Sequence, residues 1–203
     1  AALAAAARDA RLRDFTVNAL FYDPASRLVI DFVGGVADID ARTLRGCGAD
    51  PAARLAEDPL RCVRAVRFAA ALGLDIHPDT AAAVASLAPA CTPPAVAVER
   101  VWREVVKLGG AEDAPAAGVG GRPGAFADGL ATARRLGLLP VILPELCGDG
   151  ADPQAADDAL RRLGPGVPAV LRLAAALPAG WDLGPPGPRT GGAAAASAAT
   201  STT

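Results

Sequence analysis

The stretch Glu57-Asp58-Pro59-Leu60-Arg61-Cys62-Val63-Arg64-Ala65-Val66-Arg67-Phe68-Ala69 decides how the rest of the chain is read. An acidic first turn, a proline where a missing N–H costs nothing, and Gly73 as a stop predict a helix over residues 58–72. Asp58, Arg61, Arg64 and Arg67 recur every three residues, and at about 100° per residue they wind slowly across one half of that helix. Leu60 and Phe68 project into the same half, while Cys62, Val63 and Val66 cover the other. A helix this apolar is normally buried, yet unpaired internal charges cost several kcal/mol each. Its three guanidiniums must therefore line a cleft and meet anions, or be neutralised by Glu57, Asp58 and other carboxylates in an ion-pair network. Spacing alone leaves both readings open.

Working towards the N-terminus, Asp31-Phe32-Val33-Gly34-Gly35 ends a strand on an acid and two glycines, and Asp38-Ile39-Asp40 follows it. Residues 17–22 and 28–33 favour strand, and Asp23-Pro24-Ala25-Ser26 between them makes a hairpin. A short helix over 36–41, a short strand over 43–46 and a loop of Gly, Asp and Pro lead to the arginine helix. Ahead of the hairpin stands Arg13-Asp14-Phe15-Thr16-Val17-Asn18-Ala19-Leu20. There Arg13 suits a phosphate, Asp14 a sugar hydroxyl and Asn18 a phosphate oxygen. The other reading is a loop-to-strand junction in which Asp14 and Thr16 satisfy local backbone groups. Residues 1–12 read as a short alanine-rich helix.

Towards the C-terminus the pattern is helical over 78–87, 96–108, 125–136, 153–163 and 168–177. His77, the only histidine, precedes Pro78 and takes a turn role. Trp102 lies among Val98, Val101, Val105 and Leu108 and reads as core. The expected fold is α+β and predominantly helical. Residues 1–50 form the strand-containing part, 51–110 a first helical region, 111–183 a further helical body with a Gly/Ala/Pro-rich flexible insertion over 111–124, and 184–203 a disordered tail.

Composition bounds what such a chain does. Its 203 residues are 52% hydrophobic, largely through alanine, which favours helix over sheet and gives a thin core. A net charge of -2 argues against general coating of nucleic acid, so positive charge must act locally. Of 20 basic residues only Lys107 is a lysine, and guanidiniums suit bidentate contacts to phosphates and base edges. The four cysteines are far apart in sequence and suggest neither a zinc site nor a disulfide framework, so a reducing, intracellular compartment, cytoplasmic or organellar, is the default. No run approaches the ~20 apolar residues of a membrane span. The absence of methionine makes the sequence read as a fragment.

Taken in order, the Arg13–Leu20, Asp31–Gly35 and Glu57–Ala69 segments resemble three successive motifs of the class II nucleotidyltransferases, the family of CCA-adding tRNA nucleotidyltransferases and bacterial-type poly(A) polymerases. Glu99-Arg100-Val101-Trp102-Arg103-Glu104 is similar to the helix that follows them in the family. The likeness covers roughly residues 8–108. It implies the C-terminal part of a nucleotidyltransferase palm, or head, followed by an all-α neck and body. It also implies nucleotide contacts from Arg13 at the phosphates, Asp14 at the ribose 2′-hydroxyl, Asn18 beside them, and a hinge at Asp31–Gly35. Asp58 and Arg61 would present a protein edge to the incoming base, with Arg64 and Arg67 supporting that edge or the triphosphate.

The family's partners are tRNA or another RNA 3′ end, with CTP and ATP as substrates and Mg2+ as cofactor. Two departures stand out. Leu12 occupies a position that is usually arginine. The family's metal-binding segment, a Gly-rich turn followed by two aspartates one residue apart, is missing; Asp38-Ile39-Asp40 has the spacing but lies after the strands. The expectation is therefore nucleotide selection and RNA binding within a CCA-adding enzyme, with the Mg2+ ligands outside this sequence. The alternatives are the poly(A)-adding branch and a non-catalytic RNA- or nucleotide-binding module.

Overall fold

The structure, a computed structural model, describes residues 2–110, 122–147, 151–163 and 167–177. The expected tail over 184–203 and nearly all of the expected insertion over 111–124 lie outside the described residues. Helix α1 (Ala2–Leu12) leads into a 3-10 turn at Thr16–Asn18 and then a hairpin of β1 (Phe21–Asp23) and β2 (Leu28–Ile30). The strands are antiparallel, with Tyr22 opposite Val29. The Asp23 carboxylate closes the turn by accepting from Ala25 N at 3.0 Å and Ser26 Oγ at 2.6 Å. The first strand starts later than its β-favouring run, because Ala19 N donates to Thr16 O and holds the backbone coiled.

Helix α2 (Gly35–Asp40) and β3 (Thr43–Leu44) come next, followed by α3 (Pro51–Ala56). The Gly, Asp and Pro composition ahead of the arginine helix predicts a loop where α3 forms. Asp50 makes it a helix, accepting from Ala53 N at 3.0 Å with Pro51 in the first turn. Helix α4 (Leu60–Leu72) is the arginine helix, and Gly73 ends it in the left-handed region at φ 64°. That turn lets β4 (Asp75–Ile76) lie parallel to β3, with Leu44 beside Ile76. Helices α5 (Pro78–Leu87), α6 (Val98–Gly110), α7 (Ala125–Arg135), α8 (Leu139–Ile142), α9 (Pro153–Arg162) and α10 (Ala169–Ala176) complete the described chain. Helix α6 runs through Gly109-Gly110 instead of stopping before them.

One apolar core reaches from Phe15 and Leu44 through Leu55, Val63 and Val66 of α3 and α4 to Val105, Phe126, Leu130 and Leu139. Helix α4 is its axis, packed on α6 and α7, so whatever α4 carries is held rigidly. Trp102 departs from its expected place in the core. It is 40% exposed, because Val101, Glu104, Val105 and Leu108 form the buried stripe of α6.

Candidate functional site

Six of the seven residues singled out from the sequence meet in one cleft of about 520 Å³, lined by Arg13, Asp14, Asn18, Asp58, Arg61 and Arg64, together with Leu12, Leu60, Phe68 and Arg100. Three elements build it. The end of α1 and the 3-10 turn supply one wall, the Arg61-Arg64-Phe68 face of α4 the floor, and α6 brings in Arg100. Four guanidiniums and two carboxylates line it, and Asp9 and Glu57 at its rim pair with Arg13 and Arg61.

Asp14 is the buried pivot, with 9% of its side chain exposed. Its Oδ1 accepts from Phe15 N at 2.9 Å and Asn18 Nδ2 at 3.2 Å. Its Oδ2 accepts from Arg64 Nε at 2.8 Å and Nη2 at 2.6 Å. Arg64 also lies 3.8 Å from Glu104 Oε1. Asp58 accepts from Leu60 N at 3.2 Å, capping α4, and from Arg100 at 2.7 Å. Arg61 donates to the Arg54 carbonyl and pairs with Glu57 at 3.1 Å. Arg13 pairs with Asp9 one helical turn back at 2.6 Å.

Arg67 is the residue the structure turns away. It lies about 120° round the helix from Arg61, and it leaves the cleft to meet Glu104 Oε2 at 2.6 Å. Its guanidinium stacks on Phe68, 3.7 Å from the ring centroid, and Arg64 lies 5.2 Å from the same ring. Glu104 also takes Lys107 at 2.8 Å. Burial pushes the Glu104 carboxyl up, but the hydrogen bonds from Lys107 and Arg67 outweigh it and leave the group below its ordinary value. Arg100 and Glu104 escaped residue-by-residue reading, because a charged residue on an amphipathic helix looks like a solvated face. Their signal was the Glu99–Glu104 motif as a unit.

Each arginine thus has a carboxylate, as an ion-pair network requires. The pairs are unequal, however. Asp9 and Glu57 are half exposed, so their pairs are worth under ~1 kcal/mol and exchange readily for a phosphate. Asp14 and Glu104 are buried and fix geometry. The hinge-like segment is equally fixed: Asp31 accepts from the N–H groups of Val33, Gly34 and Val36, each at 2.9 Å. Asp38 is occupied by Thr16 Oγ1 at 2.7 Å and Arg45 at 3.0 Å. Among the described residues no three His, Cys, Asp or Glu side chains come together to hold a metal.

Residues 2–45 match the model of the poly A polymerase head domain. The chain is 45% identical over 102 residues to poly(A) polymerase I of Escherichia coli, covering 49% of this chain and 21% of that protein. It is 40% identical over 148 residues to the multifunctional CCA protein of Xanthomonas campestris, covering 71% of this chain and 32% of that protein. The crystal structure of the Bacillus stearothermophilus CCA-adding enzyme in complex with CTP superposes with a TM-score of 0.57 at 36% identity, over 70% of this chain and 32% of that one. The motifs and the helical fold agree with these likenesses. The chain is similar to the family of CCA-adding enzymes and bacterial poly(A) polymerases, and it spans about a fifth to a third of the length of the curated relatives it matches.

Proposed function

We propose that this chain selects the incoming nucleotide and contacts RNA in an enzyme that adds CCA from CTP and ATP to the 3′ end of tRNA. The observation that carries this is the cleft. A buried, doubly anchored carboxylate at Asp14 suits a ribose hydroxyl, while Arg13 and Arg64 suit phosphates. The outward edge of Asp58 and Arg61 offers an acceptor beside a donor, which is what reading a cytosine or adenine edge requires. Arg67 acts behind the cleft through Glu104 and Phe68. In this reading residues 1–50 contribute the end of the head, 51–110 the neck that holds the base, and 111–183 the body.

The transfer step needs divalent ions, expected to be Mg2+, to activate the attacking hydroxyl and stabilise the leaving pyrophosphate. The described residues do not fit that group, since no three His, Cys, Asp or Glu side chains among them come together. They bind and orient the nucleotide. Among the described residues no helix is long and apolar enough to cross a membrane.

The poly(A)-adding reading has its own support in the higher identity to poly(A) polymerase I. The CCA reading is preferred because its curated relative matches more of this chain. Incubating the full-length protein with tRNA lacking CCA, CTP and ATP separates them. Ordered addition of C, C and A supports the proposal, and a long tract of A alone overturns it.

A further inference from the structure

Arg61 enters the cleft already held on one side. Its Nη1 donates to the Arg54 carbonyl and to Glu57 Oε2, the latter at 3.1 Å. Those two bonds use both Nη1 protons, so Nε and Nη2 remain to meet a base. Both partners of Nη1 lead back to one residue. The carbonyl is that of Arg54, and the Arg54 side chain donates from its own Nη1 to the same Glu57 Oε2 at 2.6 Å. Its Nη2 reaches the Arg11 carbonyl, in the last turn of α1, at 2.9 Å.

Helix α3 makes this arrangement possible. Arg54 is among its last four residues, whose carbonyls have no partner within the helix. Asp58 N donates to the Leu55 carbonyl, which leaves the Arg54 carbonyl to Arg61. The Arg54 side chain is 16% exposed, against 53% for Glu57, and it does not line the cleft. A half-exposed Glu57 is a loose partner for Arg61 by itself. Arg54, tied down at Arg11, holds the same oxygen at the shorter distance and keeps it where Arg61 uses it. A guanidinium is a rigid planar fork, so anchoring one nitrogen at two points sets the direction of the others.

We propose that Arg54 is a positioning residue for base selection: it touches no nucleotide, and through its carbonyl and Glu57 it aims the Nε and Nη2 edge of Arg61 at the incoming base. The proposal rests on Asp58 and Arg61 being the base-facing edge. Its consequence is selective. A nucleotide is held at its base and at its phosphates, and loss of Arg54 loosens only the hold on the base. Replacing the Arg54 side chain leaves the backbone carbonyl in place, so a substitution reads the arm through Glu57.

Calorimetric titration of the chain with CTP and with inorganic tripolyphosphate, which has no base, separates aiming from general damage. Arg54→Ala should weaken CTP binding about five- to tenfold and leave tripolyphosphate binding unchanged. In the Arg61→Ala background the same substitution should cost CTP nothing further, because the group that Arg54 aims is gone. Equal losses for the two ligands overturn the proposal, as does the full Arg54→Ala loss repeated in the Arg61→Ala background. Arg54→Lys keeps a cation for Glu57 and carries the same comparison if the alanine variant folds poorly, with a smaller loss confined to CTP expected. Should the wild type bind neither ligand, the nucleotide reading of the cleft fails. The coupling is then read from urea denaturation, where non-additive effects of Arg54→Ala and Arg61→Ala retain the positioning and strictly additive ones overturn it.

Discussion

Arg64 Nη2 lies 2.6 Å from Asp14 Oδ2, a pair that ties the turn after α1 to the arginine helix across 50 residues of sequence. Either group without the other is a charge in a largely closed site, so the pair fixes the wall and floor of the cleft in one register. Its worth lies in geometry more than in net stability.

Arg64→Ala should therefore lower both nucleotide affinity and stability. Loss of a charge-assisted contact predicts about 10- to 100-fold weaker CTP and ATP binding by calorimetry. The Asp14 carboxylate left behind costs ~2–3 kcal/mol in chemical denaturation. Asp14→Asn combined with Arg64→Ala should recover part of that loss, and strict additivity in the double-mutant cycle would contradict the coupling.

Glu104 holds Arg67 and Lys107 while itself nearly excluded from solvent. Glu104→Gln should cost ~3 kcal/mol, since Arg67 keeps its charge and loses its partner. The pH dependence follows from its lowered pKa. Its contribution to stability is fully present above the ordinary value of 4.5 and is lost as pH falls through the lower folded-state value. Urea denaturation between pH 7 and pH 3 should show an acid-side decline below about pH 4.5 that is shallower in the Gln variant.

Gly35 has no room for a side chain: a Cβ there would overlap the Thr16 carbonyl oxygen and press on Leu20. Gly35→Ala should destabilise by ~1–3 kcal/mol, read as a lower thermal midpoint, because the α2 start must back away from the turn that carries Asp14 and Asn18. Gly110→Ala, where no atom of the described residues lies within 4 Å of the added carbon, is the matched control and should be nearly neutral.

The limits of sequence reading are visible in particular residues. The helix of Leu60–Leu72 and its stop at Gly73 followed from periodicity and capping, which act within a few residues of sequence. Strand β4 at Asp75–Ile76 did not, since two residues become a strand only when β3 is beside them. Helix α3 carried its Asp50-Pro51 start in plain view, but the glycine before it made the same residues read as a turn. In the cleft, Arg13, Asp14, Asn18, Asp58, Arg61 and Arg64 came from motif order. The departure of Arg67 depends on where Glu104 sits, and the arrival of Arg100 on how α6 crosses α4. Both are tertiary facts.

The central claim is that the edge formed by Asp58 and Arg61 reads the incoming base. Isothermal titration of CTP and ATP into the wild-type chain and into Arg61→Ala tests it most directly. The expected result is measurable binding of both nucleotides to the wild type, and about 10- to 100-fold weaker binding to the variant, with a stability loss held to ~1–3 kcal/mol because Arg61 also gives up its bonds to Glu57 and the Arg54 carbonyl. Equal affinities in the two proteins would contradict it and leave the arginines as an ion-pair network.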